Sequence, residues 1–464
     1  MRRTLHLVGW GVGLLVLLAA LAFGISASRL LHVFAATNAA QLCAGIFLSG
    51  RSRDEVEAQS LVRRGVRQRI QDALTTVVDE PGRSVTVDSL LTRPVQALAV
   101  PGRGCVLLPP GTDLAEARLG LAPVTSVPAF APAAALPAAG SEAGVDKARL
   151  AAAIERNFAD PAHLTHSFLV LRDGQVLAER YALGGGPDRP LESWSLGKTL
   201  VGALAGVLIR EGRLSLDEPL ALPDWPQADD PRRAITVRNA LNMAGRLDFT
   251  TEARFWPVFR QSDHGLVYTN LPDLHRFAAE RPPAGPPGSH GEYNNADPYL
   301  VMEHVRAKLG LEPAALAALV HAKVLGPAGM HGVVLSTDPA GHPAITGYVL
   351  GTARDWARLG QLIANGGELD GRRILEPSFV AFMRSPSPGY PEAAYGGAVW
   401  LNPHGFYRVP EDAIVLSGAG DQTVLILPRE RLVIVRMGHL AKSEDTFEVF
   451  NASLPEIVAA AGAE

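Results

Sequence analysis

Lysine is nearly missing from this chain. Its 464 residues carry 43 basic side chains, and only five are lysines (Lys147, Lys198, Lys308, Lys323 and Lys442), so arginine supplies almost all the positive charge. Cysteine is scarcer still, with Cys43 and Cys105 alone. Two thiols do not make a structural zinc site without histidines, and the one close histidine pair, His163-x-x-His166, lies far along the chain from both. Neither a metal nor a cofactor is therefore expected. A net charge of −4 and a pI near 6.4 give no basic footprint for nucleic acid. The single basic cluster, Arg63-Arg64-Gly65-Val66-Arg67-Gln68-Arg69, reads as a solvated helix face. A Walker loop, a Rossmann glycine signature, a G-x-S-x-G elbow and an H-E-x-x-H pair are all absent.

Charge is also missing from the whole stretch between Arg3 and Arg29, which is dominated by Leu, Val, Ala and Gly. About 20 apolar residues span a bilayer, and Leu7 to about Ala27 is long enough. Two readings stay open: residues 1–29 form an uncleaved membrane anchor, or they form a signal segment cut near Ser26-Ala27-Ser28. With Arg2 and Arg3 on the inner side, the remainder is expected in the cell envelope, inner-membrane-anchored with a periplasmic catalytic domain, or secreted if cleaved. An exported compartment permits a Cys43–Cys105 disulfide. Two buried thiols are the alternative.

Residues 30–125 read as a small domain, with helical patterning from Asp54 to about Val78 and strands at Ser84–Val87 and Cys105–Leu108. Residues 126–144 are a Pro/Ala linker by composition. The remaining domain, 145–464, opens with a helix from Lys147 to Asn157. A hairpin follows, Phe168–Leu171 and Val176–Tyr181, joined by an Asp173-Gly174 turn. The middle, about 215–345, is rich in Pro, Gly and short helical pieces. Two apolar strands, Thr423–Pro428 and Arg431–Arg436, and a last helix from Thr446 to about Ala461 close the chain. Strands at both ends around a helical middle predict an α/β (α+β) sandwich: an antiparallel sheet built from both ends of the domain, flanked by helices, with an inserted all-helical region.

The chemistry centres on the rare lysine. Ser193-Trp194-Ser195-Leu196-Gly197-Lys198-Thr199 heads an uncharged apolar run. In a helix, i and i+3 share a face, so Ser195 and Lys198 come within reach of one another. An amine in a dry helix loses its proton more readily than in water, and arginine does not. The pair therefore reads as a base beside a nucleophile. The bland alternative is a snorkelling lysine after a helix-capping serine. A second element, Pro286-Pro-Gly-Ser-His-Gly-Glu-Tyr293-Asn294-Asn295, presents a phenol and an amide at a loop tip, where a phenol can relay protons; Asn295 as a plain helix cap is its alternative. A third, Leu416-Ser417-Gly418-Ala419-Gly420, runs into a strand and leaves room for a substrate backbone and a free N–H.

Ser195-x-x-Lys198, then Tyr293-x-Asn295, then Ser417-Gly418, in that order and spacing, resembles the serine beta-lactamase and penicillin-binding-protein superfamily. The likeness is greatest to the class C beta-lactamase-related hydrolases and penicillin-binding esterases. Gly212-Arg-Leu-Ser-Leu-Asp-Glu-Pro219, Ile235-Thr-Val-Arg-Asn-Ala-Leu-Asn-Met243 and Leu325-Gly-Pro-Ala-Gly-Met330 are similar too. Ser-Trp-Ser-x-x-Lys and Thr352-Ala-Arg-Asp-Trp-Ala-Arg-Leu-Gly360 resemble the branch of aminohexanoate-oligomer hydrolases. The resemblance covers about 145–460. It implies Ser195 as acylated nucleophile, Lys198 as base, Tyr293 as proton shuttle, Asn295 as substrate contact, and the Ala419 N–H beside Ser417-Gly418 as an oxyanion donor. Many members carry Lys or His just before the Ser/Thr-Gly pair; here Leu416 stands there, which tilts the expectation from carboxylate-bearing beta-lactams or D-amino-acid peptides toward esters and neutral amides. Arg354, Arg408 or Arg436 would have to supply a charge instead. The expected partner is a small-molecule or peptide-like substrate, with the membrane met through the N-terminal segment and no nucleic acid. A penicillin-binding or wall-sensing protein that is acylated without turnover remains the alternative.

Overall fold

The computed structural model describes residues 2–62, 65–138, 144–269 and 272–462. Arg63 and Arg64 of the basic cluster, and 139–143 of the Pro/Ala stretch, lie outside the described residues.

Helix α1 (Arg2–Cys43) is 42 residues long and runs without a break past the expected boundary at residue 29. Along it, one stretch is apolar and long enough to cross a membrane. From Trp10 to Phe23 its large apolar side chains are exposed, whereas Ala35, Ala36, Ala39, Ala40 and Leu42 are buried. The buried part lies on a four-stranded antiparallel sheet of β1 (Thr75–Asp79), β2 (Ser84–Asp88), β3 (Val95–Val100) and β4 (Gly104–Leu108). Alternate residues Val85, Val87, Val95, Ala97 and Leu107 meet the alanine face of α1, as period-2 strands on a helix should. Cys43 at the end of α1 is disulfide-bonded to Cys105 on β4.

The continuous helical patterning expected from Asp54 to Val78 is replaced by two short helices, Arg53–Gln59 and Val66–Asp72, and then by β1. Gly65, with φ of +54°, separates the helices, and Thr75-Thr-Val-Val78 is β-branched, so it pairs with β2. Strand β3 was not expected; Leu98 and Ala97 point to opposite apolar surfaces, which erases the alternation that marks a half-buried strand.

The Pro/Ala stretch is strapped to the larger domain: Ala134 N donates to Gly329 O (2.8 Å) and Val176 N to Pro137 O (2.8 Å). Helix α2 (Lys147–Glu155) then leads to β5 (Ser167–Arg172) and β6 (Gln175–Tyr181), the expected hairpin. The C-terminal part adds β7 (Trp400–Leu401), β8 (Ile414–Gly418), β9 (Gln422–Leu427) and β10 (Leu432–Met437). The six strands form one antiparallel sheet in the order β7-β8-β9-β10-β5-β6, so β5 from the start of the domain pairs with β10 from its end. Phe168, Val170, Leu425, Leu427 and Ile434 on one face pack against α2 and the last helix, Thr446–Ala460. Leu169, Leu171, Val424, Ile426, Val433 and Val435 on the other face join the core around residues 197–210 and 353–364. The result is the three-layer, beta-lactamase-like sandwich that the sequence predicts, with antiparallel sheet and helical insertion.

The small domain is tied to the larger one close to Ser195. Ser49 Oγ donates to Pro190 O (2.6 Å), and buried Arg51 faces Glu192 at 3.6 Å. On the other side Cys105 N donates to Ser336 Oγ (3.1 Å).

Candidate active site

Ser195 lies in a single 3-10 turn, Trp194–Leu196, that feeds straight into the buried helix Gly197–Arg210. Trp194 has φ of +51°. A bulky residue in the left-handed region costs on the order of 1–3 kcal/mol and persists only where surroundings enforce it. Here the buried indole is held edge-on to Tyr268 (5.5 Å) and beside Tyr348 (6.4 Å). Gly197 is required next: a Cβ there would sit 2.1 Å from Ile345 O. That contact sets the 345–349 segment against the turn, with Ser195 Oγ 3.5 Å from Thr346 O.

Every residue from Gly197 to Leu208 is buried, so the helix is apolar all round and central. Lys198 is 2% exposed. Its Nζ lies 3.0 Å from Ser195 Oγ and 4.5 Å from the centre of the Tyr293 ring. Burial alone drives the amine well below the ordinary lysine range. With no carboxylate to stabilise the ammonium, the neutral amine is the favoured form.

Tyr293 arrives on the 285–295 loop and stands among Trp400 (4.9 Å between ring centres), Tyr395 and His264 (6.0 Å each). The phenols of both Tyr293 and Tyr268 interact with the Ser195 hydroxyl. Burial raises both phenols: Tyr268 to about 12, against its hydrogen bonds with Thr346, Asn295 and Ser195, and Tyr293 against that with Ser195 alone. His264 is pushed down to about 4, chiefly by burial. Ser195, Lys198 and Tyr293 are thus brought together as expected.

Asn295 is fully buried, and its Nδ2 donates to His264 O (3.0 Å) and Tyr268 Oη (3.3 Å). It caps no helix through its side chain. Gly418, at the end of β8, abuts the nucleophile turn: a Cβ there would lie 2.4 Å from Ser193 O and 3.3 Å from Ser195 N. Ser417 is half-buried and Ala419 exposed at this same edge. Leu416 is buried in the main core. Of the arginines considered as substitutes, Arg354 is doubly bonded to Glu179 (2.7 Å each) and Arg436 is buried on Asp421 O, His163 O and Thr165.

Sequence reasoning missed Tyr268, His264 and Thr346. Tyr268 Oη donates to Thr346 O (3.1 Å), and Tyr348 Oη donates to Tyr268 O (2.6 Å). Tyr268 and Thr346 sit in turns and His264 in a four-residue helix, Asp263–Leu266, too short to show a periodicity.

A buried group of His275, Glu303 and His342 has donor atoms close enough for a metal. Its acids are already engaged: Glu303 with Arg306 (2.6 and 2.7 Å) and the neighbouring Asp338 with the N–H groups of Leu274, Gly341 and His342. It reads as an ion-paired network.

The beta-lactamase family profile matches residues 150–452. The chain is 26% identical over 300 residues to the 6-aminohexanoate-dimer hydrolase of Paenarthrobacter ureafaciens, covering 59% of this chain and 72% of that one. Among solved structures, a candidate 6-aminohexanoate-dimer hydrolase of Bacillus anthracis superposes with a TM-score of 0.56 at 23% identity, covering 70% of this chain and 88% of that one. A family VIII carboxylesterase does so with a TM-score of 0.52 at 18% identity, covering 69% and 98%. At these identities the structural likeness speaks for the fold, while the profile spans well over half the chain: the protein belongs to the beta-lactamase family.

Proposed function

We propose that this protein is a membrane-anchored serine hydrolase that opens esters or neutral amides through an acyl-enzyme. The observation that carries the reading is the 3.0 Å contact between Ser195 Oγ and the buried amine of Lys198. Neutral Lys198 takes the Ser195 proton as the hydroxyl attacks the substrate carbonyl. The Ser195 N–H, aided by the helix N-terminus, and the Ala419 N–H at the β8 edge hold the oxyanion. Tyr293, whose ring centre lies 4.5 Å from Lys198 Nζ, passes the proton to the leaving group, and water then attacks the acyl-enzyme by the reverse relay. Asn295 holds Tyr268 and His264 in place beside the nucleophile.

The substrate side is aromatic and poor in charge. Leu416 is apolar and Arg354 and Arg436 are engaged elsewhere, leaving exposed Arg408 as the remaining candidate for a carboxylate, which favours a neutral acyl group. The 26%-identical relative acts, by its name, on 6-aminohexanoate dimer, so linear amides belong in the substrate panel beside esters. Helix α1 is long and apolar enough for an anchor, and its unbroken run into the packed small domain supports an uncleaved one; with Arg2 and Arg3 inside, the catalytic domain would lie in the periplasm.

The test is covalent labelling and turnover. Wild-type protein should label with a fluorophosphonate and turn over p-nitrophenyl esters in steady state, and Ser195→Ala should do neither. Labelling of Ser195→Ala would remove the assignment. A stoichiometric burst without further turnover would instead identify a penicillin-binding sensor.

A further inference from the structure

We propose that the aromatic loop Arg254–Arg260, together with Leu90 and Leu91, is a second lipid-contacting surface that seats the catalytic domain on the phospholipid interface crossed by α1. This rests on the anchor reading of α1.

The first observation is a matter of level. The uncharged stretch from Leu7 to Ile25 is 19 residues, which at 1.5 Å per residue is about 28 Å of helix, close to the roughly 30 Å hydrocarbon core. The hydrocarbon boundary therefore falls at about Ser26. Two segments clasp α1 at that height. Phe259 N donates to Ser26 Oγ (2.9 Å) and Arg29 Nη1 donates to Phe259 O (3.1 Å), while Ser28 Oγ donates to Leu91 O (2.8 Å).

The second observation is what those segments display. Arg254 and Arg260 are paired through both backbone groups (2.9 and 2.8 Å), closing a loop with Phe255 and Trp256 at its tip. Trp256 is 88% exposed and Phe255 69%. Leu90 is fully exposed and Leu91 is more than half exposed. Large apolar side chains such as Leu119 (88%) and Phe406 (67%) are exposed elsewhere in the body too, but the loop and Leu90–Leu91 belong to the segments bonded to α1 at Ser26–Arg29. Trp flanked by Arg is the composition of a membrane–water interface, where the ring enters the headgroup layer and the guanidinium meets phosphate.

The third observation is rigidity. Since α1 continues unbroken to Cys43, which is bonded to Cys105, the body has no flexible tether above the bilayer. The loop is held at one height. A cavity of about 1070 Å³ lies between it, α1 and Arg93. Its five arginines (Arg29, Arg93, Arg254, Arg260 and Arg281) are largely offset by Asp248, Glu252, Asp263 and Glu280, so the contact is insertion of apolar side chains, not capture of one headgroup.

Depth measurement on the full-length protein in phosphatidylcholine–phosphatidylglycerol nanodiscs tests this. The two native cysteines are disulfide-bonded, so single nitroxides can be placed at Trp256→Cys, at Leu90→Cys (which leaves the aromatic loop intact), at Leu17→Cys within the apolar stretch, and at Glu448→Cys as a water-facing reference. The ratio of oxygen to nickel-chelate collision rates should be several-fold higher at positions 256 and 90 than at 448, and highest at 17. Water-like ratios at 256 and 90 with a lipid-like ratio at 17 would overturn the loop proposal and leave the anchor standing. A water-like ratio at 17 would remove the anchor and the loop with it. Spin–spin broadening at 256, with low access to both collision partners, would reveal a contact with a second copy and also overturn the proposal.

Discussion

Replacing Lys198 with methionine should make the protein more stable and nearly inactive. The side chain is buried in an apolar helix, with Ser195 as its hydrogen-bond partner and no acid to stabilise an ammonium. In the unfolded chain the same amine titrates near 10.4. Because the folded value is lower, the unfolded state binds the extra proton throughout the window between the two. Wild-type stability therefore rises with pH across that window and falls as pH drops through it. Each unit of lowering is worth about 1.4 kcal/mol at pH values below the folded pKa. Methionine fills nearly the same volume and carries no proton, so it removes the penalty and forfeits one hydrogen bond of about 1 kcal/mol. The advantage of Lys198→Met should accordingly grow as pH falls and reverse by pH 10.5, where only the lost hydrogen bond remains. Urea unfolding of the two proteins from pH 6 to 10.5 measures this directly. Loss of the general base should lower kcat/KM by about 10²–10⁴. A stability difference that does not change with pH, or a mutant weaker at pH 6 than at pH 10, would refute the desolvated-amine argument.

The pH–rate profile should carry the same signature: a plateau through neutral pH with no falling limb until the raised phenols begin to ionise, Tyr268 near 12; a fall between pH 8 and 9 would count against it. Tyr268→Phe removes a donor to Thr346 O and an acceptor for Asn295, so a loss of about 1 kcal/mol in stability and a lower kcat with nearly unchanged KM are expected from unfolding and kinetics. Gly197→Ala drives a methyl into Ile345 O and should cost about 1–3 kcal/mol or more and displace Ser195, read as lost fluorophosphonate labelling. Reducing Cys43–Cys105, which closes a 62-residue separation, should cost about 4 kcal/mol by the chain-entropy relation, visible as a lower urea midpoint for the small domain with dithiothreitol.

The hairpin 167–181, the strands near 423–436 and the helix after Ser195 were legible because their patterns are local: a turn dipeptide, continuous β-branched runs, and an apolar face all round. Ser195 and Lys198 meet as their i, i+3 spacing suggests, and Tyr293 stands beside them where the family resemblance put it. What escaped was set by contacts distant in sequence. Tyr268 reaches Thr346 across 78 residues, and nothing near either residue announces the meeting. Strand β3 escaped because both its faces are covered, and the supposed linker escaped because Pro and Ala read as free chain although their backbone groups bond to Gly329 and Val176. The helix that carries the N-terminal apolar run extends beyond it, because Arg29 stops the apolar run but not the helix.

The pairing of β5 with β10 joins Ser167 to Met437 and Arg172 to Leu432, strands some 260–270 positions apart at the middle of the sheet. Loop closure over such a span is slow, and nothing closer in sequence can fill the gap between the two halves. The catalytic layer therefore waits for the last fifth of the chain to emerge. Until β10 is made, β5 has only β6 as a partner, and the sheet behind Ser195 stays incomplete.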